Sequence, residues 1–293
     1  MKGFSCLNPR VLTAYFLSVL LTSMFIWNPV IQIISLLGGL LFLSTLTNVK
    51  EFVSDIGFYT ILFMLITVTN PLFSHNGETP LFFLNGKPIT LESIVYGGEM
   101  AVMIISVIIW CKCLNRIMTT DKILYILGGA VPKLSLLLSM SLRFIPLFKK
   151  QTKKVSNAQK TMGLFSNISI SDKAINASAV LSSMTDWSLE NALETSNAMK
   201  SRGYGLKART NYFLFKFTMK DIAVVSLTTI LMITTLVFTG MGTLDFNFYP
   251  TISKINLTYK ALTAYIAYGI LAFFPFLFET EENIKWKYYI SKI

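Results

Sequence analysis

Residues 187–205 read "WSLENALETSNAMKSRGYG". Up to Lys200 the stretch is rich in residues that favour a helix. Gly203 and Gly205 then interrupt it, as glycine does just past a helix end. Arg202 stands at that end. A cation there complements the unpaired last carbonyls, so Arg202 reads first as a cap. The sharper reading is that the helix exists to carry Arg202 to something else.

Working outward, Ala177, Leu181, Met184, Ser188, Thr195 and Met199 recur at helical spacing. They predict one long helix over about 173–202, with Ser171 as its N-cap. Upstream, Phe148, Val155, Ala158 and Met162 predict another over about 145–162, ending at Gly163. The linker "FSNISIS" (165–171) joins them. Ala158, Ala177, Ser188 and Ala192 are small, so the two stripes predict close helix–helix contact. A connection this long is functional or disordered, and its helical periodicity argues against disorder.

The surrounding chain is membrane-like. Of 293 residues, 53% are hydrophobic and 14% charged, and the mean hydropathy is +0.57. Soluble domains carry about 25% charged residues. A spanning helix needs about 20 mostly apolar residues. Candidates are Val11–Trp27, Val30–Thr47, Ile56–Thr69, Ser93–Trp110, Ile222–Met241 and Ala261–Phe278, with Asn28-Pro29 breaking the first two into a hairpin. Ile123–Val131 and Leu134–Phe148 are weaker apolar stretches, interrupted by Gly128-Gly129, Pro132, Lys133 and Arg143, and read as surface or bundle segments. The first apolar stretch lacks a small-residue cleavage site and reads as a retained helix.

The net charge is +11, and the stretch from Arg143 to Lys220 alone holds 13 Lys/Arg against 4 Asp/Glu. Basic residues in short flanks mark the cytoplasmic side. Lys2, Arg10, Lys50, Lys112, Arg116 and Lys285 lie in flanks that place both termini and the basic region there. The fold class is therefore all-α: a polytopic membrane protein of about six spans, with two long cytoplasmic helices inserted before the last two. The organisation reads as 1–120, spans one to four; 121–220, the cytoplasmic helical region; and 221–293, the last two spans and a basic tail.

Several chemistries lack their residues. Cys6, Cys111 and Cys113 form no disulfide framework. His75, the one histidine, has no ligand partners at metal spacing. No phosphate-binding G-x-x-x-x-G-K-[ST] loop is present. Glu99 lies inside the fourth span and reads as hydrogen-bonded there or facing another helix. Lys149, Lys150, Lys153 and Lys154 form a cationic face without interleaved aromatics, which fits anionic lipid headgroups better than nucleic acid. No catalytic set, metal site or cofactor site can be assembled.

These stretches resemble a known family, the transmembrane T component (EcfT/CbiQ type) of energy-coupling factor (ECF) transporters, a class of ABC transporter. "LNPRVL" (7–12) is similar to that family's start of its first helix, "NPLFSHNGETPLFFLNGKPITLESIVYGG" (70–98) to its outer loop and "SLRFIPLF" (141–148) to the start of its first coupling helix. "WSLENALETSNAMKSRGYG" is the strongest match. The resemblance implies a non-catalytic coupling subunit. Its two helix tips would dock in grooves on two ABC-type ATPases, and its membrane face would hold one small substrate-binding membrane subunit, the S component. The implied cargo is a vitamin or a transition-metal ion such as cobalt or nickel. Ser201, Arg202 and Gly203 match the family's second tip motif. The first tip departs from it: Thr161, Met162 and Gly163 put methionine where the family has arginine, in "AQKTMG" (158–163). The alternative function is a self-sufficient secondary carrier or channel with a basic cytoplasmic domain; an intramembrane enzyme built on Glu99 lacks further catalytic groups.

Overall fold

Two Asn-Pro dipeptides open the apolar part of the chain, and both act alike. In the computed structural model, which describes residues 3–74, 77–84, 87–163, 170–204, 206, 215 and 217–290, the Asn8 carboxamide accepts from Arg10 N–H and that of Asn28 from Val30 N–H, each at 3.1 Å. The following proline takes the first helical position, where its missing N–H costs nothing. The helices so begun are α1 (Pro9–Phe25) and α2 (Pro29–Leu46). There follow α3 (Val49–Phe73), a two-stranded antiparallel hairpin of β1 (Pro80–Leu84) and β2 (Lys87–Thr90), α4 (Leu91–Ile117), α5 (Thr120–Ala130), α6 (Pro132–Thr161), α7 (Ile170–Ser201), α8 (Met219–Gly240) and α9 (Tyr259–Ile290). The hairpin is a departure from the sequence reading, which gave this loop no strands.

The chain divides into two units, Met1–Ile123 with Phe215–Ile293, and Leu124–Leu214. The first is an apolar helix assembly. Five of its helices, α2, α3, α4, α8 and α9, are long and apolar enough to cross a membrane. The 17 residues of α1 reach about 26 Å, short of a full span, yet Val11, Leu12, Tyr15, Phe16 and Val19 are buried. This helix packs against α2, α4 and α8. Close packing depends on two adjacent glycines of α2. A Cβ on Gly38 would stand 2.9 Å from Ala272 of α9, and one on Gly39 would stand 3.0 Å from Ile109 of α4.

Polar groups inside this unit are mostly paired, as a water-free interior requires. Gln32 Nε2 donates to the Ser23 and Ile26 carbonyls at the end of α1 (2.6 and 3.1 Å). Asn28 Nδ2 donates to the Leu244 carbonyl and the Tyr265 hydroxyl. The hydroxyls of Ser35 and Ser106 join α2 to α4 at 2.6 Å. Glu99 is buried, but its Oε1 has no hydrogen-bond partner. At the far end of α3 and α4, Lys112 pairs with Asp55 and Arg116 with Glu51. His75 lies outside the described residues, and among those described no cluster of His, Cys, Asp or Glu could hold a metal ion.

In the second unit, α6 is a single 30-residue helix. It starts at Pro132, where the sequence reading placed a separate segment ahead of a helix beginning near 145. Pro132 occupies the first helical turn, so it starts the helix rather than breaking it. Pro146 lies inside α6 and removes one internal donor. The next helix, α7, starts at Ile170, so Ser171 is inside it and is not its N-cap.

Candidate functional site

The two long helices pack antiparallel. Phe148 of α6 meets Trp187 of α7 edge-to-face at 5.4 Å, a favoured aromatic geometry. Met140 and Phe144, earlier on α6, share a groove of about 300 Å³ with Thr195, Met199 and Tyr204, later on α7. From the Phe148–Trp187 contact, Met162 lies fourteen residues on along α6 and Arg202 fifteen residues on along α7. At 1.5 Å per residue each tip stands about 21–23 Å from that contact, on opposite sides of it.

The buried stripe on each helix overlaps the predicted one, keeping Phe148, Val155, Met184, Ser188, Thr195 and Met199 and leaving the alanines outside. On α7 it is Asn176, Val180 and Met184, continued by half-buried Trp187, Asn191, Thr195 and Met199. Ala177 and Ala192 are exposed, and Leu181 is 66% exposed. On α6 the stripe runs Phe144, Phe148, Gln151, Val155 and Gln159, and Ala158 is exposed. Large and amide side chains, rather than alanines, fill the contact. The antiparallel register carries Gln159 to the level of Asn176, both under a tenth exposed. The larger residues of the predicted stripes give the phase; the alanines do not, because alanine is equally at home on either face. Lys149, Lys150, Lys153 and Lys154 are exposed, away from this stripe.

Both tips end on a glycine in left-handed backbone. Arg202 N–H donates to the Ala198 carbonyl at 3.2 Å, Gly203 N–H to Lys200 at 3.0 Å, and Tyr204 N–H to Met199 at 3.0 Å. Gly203 has φ +73°. The last two bonds and the left-handed glycine make a Schellman cap. At the first tip, Met162 N–H donates to Ala158 at 3.2 Å, Gly163 N–H to Lys160 at 3.1 Å, and Gly163 has φ +82°. The hydroxyls match as well: Ser201 donates to the Ala198 carbonyl at 2.9 Å and Thr161 to the Ala158 carbonyl at 2.7 Å. The sequence holds the signal for this likeness. "AQKTMG" (158–163) and "AMKSRG" (198–203) are two copies of Ala-x-Lys-[Ser/Thr]-x-Gly. They differ at the penultimate position, Met162 against Arg202, and at Gln159 against Met199. The Gly205 signal lies outside the described residues.

This geometry bears on the reading of Arg202 as a cap. The cap is made by backbone groups. The Arg202 side chain is exposed, and among the described residues it makes no hydrogen bond or ion pair. Met162 is 75% exposed. Each helix thus ends in a left-handed glycine, preceded by an exposed long side chain, Met162 or Arg202.

A family model, CbiQ, described as a cobalt transport protein, matches residues 5–212, which takes in α1 to α7 and both tips. The chain belongs to this family. It is similar to energy-coupling factor transporter transmembrane protein EcfT of Listeria innocua, 31% identical over 170 residues, or 54% of this chain and 64% of that one. It is also similar to EcfT of Lactobacillus helveticus, 34% identical over 103 residues, or 34% and 37% of the two chains. The chain therefore matches less than two thirds of the length of these relatives. This CbiQ-type chain is a multi-pass membrane protein and a transmembrane component of ECF transporters.

Proposed function

We propose that this CbiQ-type protein couples two cytoplasmic ABC-type ATPases to one small substrate-binding membrane subunit, and that α6 and α7 are the levers. The observation that carries the reading is the duplicated cap. Two helices of one unit end in glycine turns, on opposite sides of their contact, with Met162 exposed at one end and Arg202 at the other. A pair of separated knobs suits two partners better than one. The Arg202 guanidinium offers a rigid five-donor fork suited to a carboxylate in a partner groove. Met162 offers a flexible, polarisable side chain suited to an apolar groove. In this reading Thr161, Gly163, Ser201 and Gly203 hold the turns that aim the two knobs.

The chain itself hydrolyses nothing. ATP-driven closure of the ATPases moves the tips, and the levers pass that motion to the membrane helices and the S component beside them. The cargo is a vitamin or a transition-metal ion, selected by the S component. Both termini and the α6–α7 unit lie on the cytoplasmic side, consistent with Lys112 and Arg116 at one end of α4 and an aromatic cluster of Trp27, Tyr96 and Tyr249 at the other.

Co-purification tests this. The full chain, captured from its native membrane in mild detergent, is expected to bring two ATP-binding chains and one small membrane protein, each identified by mass spectrometry. Uptake by liposomes containing this chain alone, without ATP, would overturn it in favour of a self-sufficient carrier.

A further inference from the structure

The hairpin between α3 and α4 is fixed at its base and apolar along β1. Leu91 N–H donates to the Thr79 carbonyl at 3.1 Å, the Thr79 hydroxyl to the Glu92 carboxylate at 2.7 Å, and the Ser93 hydroxyl to the Ser74 carbonyl at 2.9 Å. These bonds tie the hairpin to the first turn of α4, and β2 also packs against α3 and α4. Register pairs Phe82 with Ile89 and Phe83 with Pro88, with an irregularity between Pro80 and Phe82 at Leu81. Directly paired residues share a face, and successive residues alternate. Phe82 therefore shares the face of Ile89, which is buried, and Phe83 points the other way. Leu81 is 55% exposed, Phe82 50% and Phe83 70%. No charged residue occurs between Thr79 and Leu84.

The same end of the unit carries an aromatic belt. Trp27 stacks on Tyr96 at 5.7 Å, and Tyr96 meets Phe248 at 5.5 Å and Tyr249 at 5.3 Å. Such rings concentrate where a membrane meets water. Tyr96 lies six residues into α4 from Thr90, about 9 Å along the helix. A strand of five residues reaches about 16 Å, enough to bring β1 back to the level of the belt. A two-stranded hairpin is marginal in water by itself, and three adjacent bulky apolar side chains add to its exposure.

We infer that Leu81 and Phe83 enter the membrane interface, so that the occupant of this exposed face is a lipid surface. A protein strand fits less well: Pro80 in β1 and Pro88 in β2 each remove an N–H that strand addition would use. The hairpin is then a fixed foot on the membrane beside the first turn of α4. It braces the α3–α4 pair whatever the partner subunits do.

The test uses the full chain in nanodiscs holding one copy, made with ordinary or brominated phosphatidylcholine. Phe83→Trp adds a reporter to the four native tryptophans, whose emission is subtracted using the unmodified chain. The added emission is expected to fall with bromines placed near the headgroups and to resist aqueous iodide. Phe82→Trp, on the opposite face, is expected to lose less. Quenching by iodide without quenching by bromolipid would place the hairpin in water and overturn the inference, and so would shielding from both. Leu81→Trp gives the same readout if Phe83→Trp fails to fold.

Discussion

Replacing Arg202 with alanine separates a knob from a cap. The bonds of the glycine turn that closes α7 are backbone ones: Gly203 N–H to Lys200 O and Tyr204 N–H to Met199 O, each 3.0 Å. Arg202→Ala leaves them intact and puts the best helix former at the last position. The side chain it removes is exposed and makes no hydrogen bond or ion pair among the described residues. Exposed substitutions of this kind change stability by less than about 0.5 kcal/mol. Docking is another matter. If the guanidinium sits against a carboxylate in a partner groove, losing it costs about 2–5 kcal/mol. At tenfold per 1.4 kcal/mol, that is a loss of roughly thirty- to several-thousand-fold in partner affinity.

The contrast variant is Gly203→Val, which keeps the arginine and attacks the turn. A non-glycine residue in left-handed backbone costs about 1–2 kcal/mol, and a Cβ there would approach Leu206 Cδ1 at 3.0 Å. The assay is retention of the ATPases on the immobilised full chain, with thermal unfolding of the same preparations in parallel. Arg202→Ala is expected to lose the partners while its melting temperature holds; Gly203→Val is expected to lower both. The Arg202→Ala defect is expected to shrink in relative terms at high salt, because the wild-type contact is itself screened, the Debye length falling from about 10 Å at 0.1 M to about 3 Å at 1 M. Wild-type retention and uptake in Arg202→Ala would refute the docking argument and return the residue to solvent.

Met162→Ala is expected to weaken ATPase retention less than Arg202→Ala and with little salt dependence, since an apolar contact is not screened; equal losses with equal salt slopes would show that both tips are read alike. Trp187→Ala removes the edge-to-face partner of Phe148, a pair worth about 0.5–1.5 kcal/mol beyond its area, so stimulation of ATPase activity by the assembled complex is expected to drop although neither tip is touched. Gly38→Val would press a side chain into Ala272, where a Cβ already stands at 2.9 Å; overpacking costs about 1–3 kcal/mol, and a lowered melting temperature is expected, while Gly57→Val, with open space around its Cβ position, serves as the control.

How much of this was legible in the sequence depends on which signals were local. The break at Asn28-Pro29 was plain, because the carboxamide cap and the ring at the next position act within three residues, whereas Asn70-Pro71 lies inside α3. Helix ends written as glycine were equally plain, and Gly163 and Gly203 both adopt the left-handed backbone their positions imply. The start of α6 was missed because Pro132 and Arg143 read as breaks; position within the helix, which composition does not give, decides whether proline opens or kinks it. The alanines of the α6–α7 stripes were misplaced for another reason. Alanine carries no directional information, so Ala158, Ala177 and Ala192 fit the small-residue rule and still face outward. Gln159 and Asn176, polar by type, are buried along with Val180 and Met184.

The same contrast explains why the tips are the better guide to function. A glycine turn preceded by one projecting side chain is specified within six residues, and the chain writes it twice, as "AQKTMG" and "AMKSRG". Antiparallel packing about Phe148 and Trp187 then turns two local motifs into a spaced pair. Neither piece suffices alone. A single cap is common on any helix, and an antiparallel helix pair without projecting ends has nothing to grip. In the proposed function they form two grips of different chemistry, one cationic and one apolar, on opposite sides of one helix contact, so a pull on either tip would act through that contact on the lever as a whole.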